Sequence, residues 1–349
     1  MGSRQRQRQF WAIKSISPLM NIAFFSTLPF EQTCFQRLRD HHHITFISQT
    51  LNTDTVQLAS GHQAVCAFVN DDLSRPVLQA LTDMGVLVVG MRCVGLDNVD
   101  QPAMNELGMT LLHVPGYSPY SVAEHSVALL LSLVRHLPEA HQRIRAGNFS
   151  IDGLMGNDLH GKTVGVVGTG RIGRAFARIM LGFGCTLLAY DVRPNPKILN
   201  AGVEYVPFDQ LLRQSDVIAL HCPLTPQTHH LINDRTLALL KSNALIINTG
   251  RGRLVDTRAV LDALDEGQLT GYGADVYEGE RDYFHRNFSD KTVSDDLLNR
   301  LRSHPKVLLT AHQGFLTEEA LRQVVRSLLN QFSFYASQQT SSVSKASLY

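Results

Sequence analysis

Residues 162–180, KTVGVVGTGRIGRAFARIM, place three glycines at the join of two elements. Thr163–Val167 is a continuous apolar run, as in a strand buried on both faces. Gly168, Gly170 and Gly173 follow at GxGxxG spacing and open a helical run. Glycines there permit a tight turn, a close approach of backbone to a pyrophosphate, and close packing of helix on strand. The first N–H groups of the helix have no partner of their own and face the same point. A glycine triplet alone is weak evidence. Here a second strand, Thr186–Tyr190, ends at Asp191, 18 residues after Gly173, where a carboxylate can accept hydrogen bonds from a ribose. Strand, glycines, helix, strand and acid in that order point to a bound dinucleotide. Asp191 favours NAD over NADP, because a carboxylate beside the ribose repels a 2′-phosphate. Arg193, two residues on, softens that preference.

The rest of the chain repeats the alternation. Further apolar runs at Asn21–Ser26, Ile44–Ile47, Ala64–Phe68, Leu87–Gly90, Val217–Leu220, Ala244–Asn248 and Val307–Thr310 read as strands between helical stretches. This predicts α/β architecture with parallel sheets. One long helix is expected from Ser118 to about Arg145, with Pro119 in its first turn and Gly147 after its end. Another is expected from Thr317 to about Phe332, with Glu318 and Glu319 in the first turn. At roughly 150 residues per domain, 349 residues make about two domains.

Composition excludes several classes. Lys+Arg number 32 against 31 Asp+Glu, so no basic field recruits nucleic acid. The cysteines (Cys34, Cys66, Cys93, Cys185, Cys222) are odd in number and form no CxxC pair, which suits reduced thiols in the cytoplasm. His41–His43 lacks acids or thiols at ligand spacing, so it reads as a solvated loop and no metal is expected. No apolar run reaches the 20 or so residues of a membrane span. Residues 1–19 hold Arg4, Arg6, Arg8 and Lys14 and no acid, and read as a disordered extension or a transit peptide. The Ser/Gln-rich stretch 336–349 reads as a polar, disordered tail.

Three residues beyond the glycines are of types that do chemistry. Arg251 lies in INTGRGRLVD, Glu280 in GADVYEGE and His312 in TAHQGFLT; Arg251 and His312 come just after strands. Ligands of open α/β sheets bind at the carboxyl ends of strands, which would gather all three at one edge. Taken singly, each reads more readily as a surface arginine, a solvated acid or a satisfied histidine.

Together with MRCVGLDNVD (91–100), VPGYSPYSVAEH (114–125), HCPLT (221–225), NTGRG (248–252) and DVYEGE (275–280), these segments resemble the D-2-hydroxyacid dehydrogenase family, above all its D-lactate dehydrogenase branch. The resemblance covers residues 20–332. It implies two lobes, with a Rossmann-like nucleotide domain (119–312) inserted in a flavodoxin-like substrate domain (20–118 plus 313–335), two long helices crossing between them, and a homodimer. It implies that Arg251 binds the substrate carboxylate, that His312 is the general acid and base, and that Glu280 orients its imidazole. Val94 and Gly95 would complete the carboxylate site, and Tyr117 would line a small pocket. Gly168, Gly170, Arg171, Ile172, Gly173, Asp191, Cys222, Pro223, Thr228, Thr249, Gly250, Arg251 and Asp275 would contact the cofactor. Ala311 and Gly314 depart from the usual Pro and Ala beside the histidine. Pyruvate and D-lactate are the expected pair. The same motifs also suit relatives acting on glyoxylate or hydroxypyruvate, and NAD-sensing corepressors built on this fold.

Overall fold

The computed structural model describes residues 19–38 and 42–346. The readings made for residues 1–18 and for His41 therefore lie outside the described residues. The chain divides into two compact units: one ends at Tyr117 and resumes at Leu321, and the other runs Ser118–Ala320.

The first unit holds β1 (Asn21–Phe24), β2 (His43–Phe46), β3 (Ala64–Ala67), β4 (Val88–Met91) and β5 (Thr110–His113). They form a parallel sheet in the order β2-β1-β3-β4-β5. Ile22, Phe24, Cys66 and Val88 share a core with Val325, Leu328, Leu329 and Phe332 of the C-terminal helix. Gly90 lets that helix approach: a Cβ there would lie 2.5 Å from Phe332 Cζ. His42 belongs to this packing rather than to a solvated loop. It is buried, it accepts from the Met20 N–H at 3.3 Å through Nδ1, and its Nε2 lies 2.9 Å from Ser333 Oγ.

The second unit holds β6 (Thr163–Val167), β7 (Thr186–Tyr190), β8 (Val203–Tyr205), β9 (Val217–Leu220), β10 (Leu245–Asn248), β11 (Gly271–Ala274) and β12 (Val307–Leu309). Their order is β12-β11-β10-β9-β6-β7-β8, all parallel, with apolar cores on both faces. Two faces to bury explain the continuous apolar runs. Because all pairings are parallel, every carboxyl end lies on one edge. The order of connection reverses between β9 and β6, the kind of place where open α/β sheets take ligands.

Several expectations change in detail. The helix after Ser118 is two helices, Pro119–Val134 and Leu137–Arg145, separated by His136 at φ +50°. Pro138 has no N–H to give and would clash with the carbonyl four residues back. That carbonyl, Val134 O, accepts from Asn157 N at 3.1 Å instead. The last helix runs Glu318–Ala346, so the stretch expected as a tail from 336 is helical up to Ala346. No glycine or proline follows Gly314 to stop it. The first unit is re-entered inside this helix, at Leu321 rather than at 313. Among the described residues no helix is long and apolar enough to cross a membrane, and no three His, Cys, Asp or Glu side chains cluster as metal ligands.

Candidate active site

The glycine turn after β6 is closed on one side and open on the other. Gly168 sits at φ +92°, and a Cβ there would lie 2.5 Å from Cys222 N, in the turn after β9. At Gly173 a Cβ would fall 2.0 Å from Gly168 O, so the first helical turn is pressed on the loop. At Gly170 nothing lies within 4 Å, leaving room for a ligand to meet the backbone. Gly170 precedes the helix Arg171–Gly182, whose end has no side-chain cap. The N–H groups of Arg171 and Ile172, in the first turn of that helix, lie beside that open side.

Asp191 ends β7 and is fixed in place. Its Oδ2 accepts from Thr169 N at 2.6 Å and Thr169 Oγ1 at 3.0 Å, and its Oδ1 from Arg193 N at 2.9 Å. Tyr205 OH donates to Thr169 Oγ1 at 2.7 Å and braces the arrangement from β8. Partial burial raises the carboxyl's pKa, but the hydrogen bonds from Thr169 and Arg193 outweigh it and hold the group below the usual range. A backbone cradle open at Gly170 and an ionised acid at the next strand end fit a pyrophosphate and an adenosine ribose.

The neighbouring strand ends supply the rest of the edge. Burial pushes the Cys222 thiol up to about 11, so it stays a thiol, suited to packing rather than to attack. The Thr228 hydroxyl bridges its own loop, donating to Pro223 O at 2.8 Å and accepting from Thr225 N at 2.7 Å. Thr249 is buried after β10, its hydroxyl 2.7 Å from Ser126 Oγ. Gly250 N donates to Asn248 Oδ1 at 3.1 Å. Arg251 is extended at φ −135°, with Nη1 donating to Gly250 O at 2.9 Å. Gly252 beside it admits no side chain, since a Cβ would lie 2.1 Å from the Tyr277 carbonyl carbon.

His312 and Glu280 meet as a pair: His312 Nδ1 is 2.7 Å from Glu280 Oε1. A carboxylate only accepts, so Nδ1 carries the proton of that bond and Nε2 is the remaining ring nitrogen. Glu280 Oε2 is in turn held by Tyr277 N at 2.9 Å. The histidine has φ +49°, a left-handed conformation that costs about 1 kcal/mol or more for a residue with a side chain. Asp275, buried at the end of β11, sustains it. His312 N donates to Asp275 O at 2.7 Å, while Gln313 N (2.8 Å) and Gly314 N (2.7 Å) donate to its carboxylate. Thr310 Oγ1 adds a bond of 2.6 Å, and His125 Nε2 lies 3.3 Å from the same oxygen and 2.9 Å from Thr310 Oγ1. Burial pushes the Asp275 carboxyl up, but these donors, His125 first, bring it below the ordinary range. The loop at Gly314 is thus tied down.

His125, Thr310, Thr169 and Tyr205 are the supporting residues that sequence reasoning missed. His125 stood inside a quoted motif, but nothing in its spacing ties it to Asp275. Val94, Gly95 and Tyr117 belong to the first unit, and Val94 is 45% exposed on the loop after β4.

Residues 127–314 match the family model for the NAD-binding domain of D-isomer-specific 2-hydroxyacid dehydrogenases. The chain is 43% identical to Escherichia coli D-lactate dehydrogenase over 316 residues, 90% of this chain and 96% of that protein. It is 44% identical to 2-hydroxyacid dehydrogenase homolog 2 of Schizosaccharomyces pombe over 328 residues, covering 93% and 99%. Among solved structures, the pyruvate reductase of Chlamydomonas reinhardtii superposes with a TM-score of 0.87 at 39% identity, covering 93% of this chain and 98% of that one. In sequence and in fold alike, the chain belongs to the D-isomer-specific 2-hydroxyacid dehydrogenases, the NAD-dependent oxidoreductases of 2-hydroxy acids.

Proposed function

We propose that the protein interconverts pyruvate and D-lactate, with His312 as its general acid and base. The observation that carries the mechanism is the 2.7 Å pair between His312 Nδ1 and Glu280 Oε1. The names of the E. coli and Chlamydomonas relatives support the substrate. NADH, when bound, would supply the hydride that reduces the keto carbon. Arg251 takes the substrate carboxylate in its planar fork of donors and polarises the adjoining carbonyl. The N–H groups of Val94 and Gly95 complete the carboxylate site, and Tyr117 lines a small pocket for the methyl group. His312 gives the Nε2 proton to the carbonyl oxygen, and recovers it there when D-lactate is oxidised. Glu280 holds the ring in the orientation this needs, and Asp275 holds the backbone beneath it. Gly168, Gly170, Arg171, Ile172 and Gly173 cradle the cofactor pyrophosphate, and Asp191 its ribose. Cys222, Pro223 and Thr228 would contact the cofactor after β9, with Thr249, Gly250 and Asp275 nearer the nicotinamide.

The test is NADH oxidation with pyruvate, glyoxylate, hydroxypyruvate and larger 2-keto acids, followed by chiral analysis of the product. Pyruvate is expected to give the highest kcat/KM and only D-lactate. Arg251→Lys keeps the charge but loses the fork, and is expected to cost about 10²–10³-fold in rate. His312→Ala is expected to cost about 10²–10⁴-fold in both directions. A higher kcat/KM with another keto acid reassigns the substrate, and an undiminished His312→Ala removes the proposed acid.

The reading extends to a homodimer working in the cytoplasm. Reduced thiols at all five cysteines suit that compartment. Leu137, Ile144, Phe149, Ile151 and Met155 lie more than half exposed in one short stretch, a face that a second copy would cover.

A further inference from the structure

The loop after β4 carries Val94 and Gly95 at its tip, and both of its flanks are anchored. On one flank, Arg92 N donates to Ala67 O at 3.1 Å and the side chain turns inward, 3% exposed. Its Nε donates to Glu31 Oε1 at 2.8 Å and its Nη2 to Ser26 O at 2.7 Å. The guanidinium lies over the rings of Phe24 and Phe68, 4.5 and 4.6 Å from their centroids. One side chain thus joins the loops that follow β1, β3 and β4. Asp71, fully buried, organises the same place, accepting from Ser26 Oγ (2.6 Å), Leu51 N (2.7 Å) and Phe68 N (2.6 Å).

On the other flank, Asn98 Nδ2 donates to Phe68 O at 3.0 Å and Asp71 O at 2.7 Å. Asp100 N follows, donating to Leu73 O at 3.0 Å. Both flanks are therefore fastened to one short segment, residues 67–73. Within the loop, the Cys93 thiol donates to Gly95 O at 3.1 Å.

A buried ion pair is often no more stabilising than well-packed apolar residues of the same volume. Fold stability therefore gives no sufficient reason for Arg92 and Glu31. What they specify is where three loops stop relative to one another. We propose that Arg92 and Asn98 are positioning residues for substrate binding: they clamp the two ends of the loop so that the Val94 and Gly95 N–H groups are set for the carboxylate of a short 2-keto acid. This rests on the reading above that those two N–H groups bind the carboxylate. These N–H groups hold a part of the substrate that does not react, so a loosened loop reads out in substrate affinity.

Asn98→Ala removes one clamp without leaving a buried charge. The double variant Glu31→Leu/Arg92→Met removes the other and replaces the pair with apolar volume. Steady-state kinetics and the NADH dissociation constant are to be measured for both, beside their Tm. Each folded variant is expected to raise KM for the 2-keto acid about tenfold or more, with kcat and NADH affinity kept, as befits lost binding shared by ground and transition states. Should the double variant fail to fold, Asn98→Ala decides alone. KM equal to the parent's, with or without a lower Tm, overturns the clamp and leaves ordinary core packing. A parent protein that turns over no 2-keto acid overturns the reading beneath it instead, so the two failures are told apart.

Discussion

Asp191 accepts from Thr169 N, Thr169 Oγ1 and Arg193 N, and is kept ionised by them. A fixed negative charge at the end of β7 would face the 2′-phosphate of NADPH, and at about 4 Å such repulsion is worth roughly 1–4 kcal/mol. NADH should therefore be the better donor by about tenfold or more in kcat/KM. Asp191→Ala should narrow that ratio, losing activity with NADH while gaining it with NADPH; parallel titrations of the two cofactors check this. Equal use of both by the parent would locate the choice elsewhere. The glycine turn and the place of Asp191 beside it were legible residue by residue, because both are set by backbone geometry close by in sequence. The support of His312 was not. Asp275 holds the 312–314 backbone across strands, and His125 reaches it from a helix some 150 residues earlier. Only the folded sheet brings those groups together.

Among elements, strands with continuous Val, Ile or Leu runs were plain in the sequence, while β5, β8 and β11 were passed over. β8 has three residues at a sheet edge, and β5 is only half-buried at the edge of its own sheet. β11 reads GYGA, which looks like a turn, yet it is paired on both sides and buried. Its Gly273 is demanded by packing, since a Cβ would lie 2.7 Å from Ile247 Cδ1 and 3.1 Å from Leu133 Cδ1. Gly90 in β4 does the same for the C-terminal helix. Gly90→Ala would push against Phe332, and overpacking of this kind costs about 1–3 kcal/mol. The expected result is a lower Tm, partly restored by Phe332→Leu in the same chain. If Gly90→Ala melts with the parent, the helix and sheet have room that the contact denies.

For the whole molecule, the proposed dimer gives a measurement. A chain of 38.8 kDa should sediment at twice that mass, and Phe149→Ser with Ile151→Ser, at 74% and 81% exposed positions, should shift it toward monomer. A parent that sediments as a monomer removes the dimer. The insertion of one unit within the other bears on how the chain is made. The five strands of the first unit leave the ribosome early, but Val325, Leu328, Leu329 and Phe332 of its core come from the last helix. Until that helix emerges, the face formed by Ile22, Phe24, Cys66 and Val88 is covered only in part, by Phe35 of the helix Pro29–Leu38. The inserted unit, Ser118–Ala320, is continuous and can close its core first. The newborn chain thus passes through an interval in which the first unit lacks part of its core. That interval is when chaperones would be needed most, and a chain ended early by nonsense or proteolysis would never leave it.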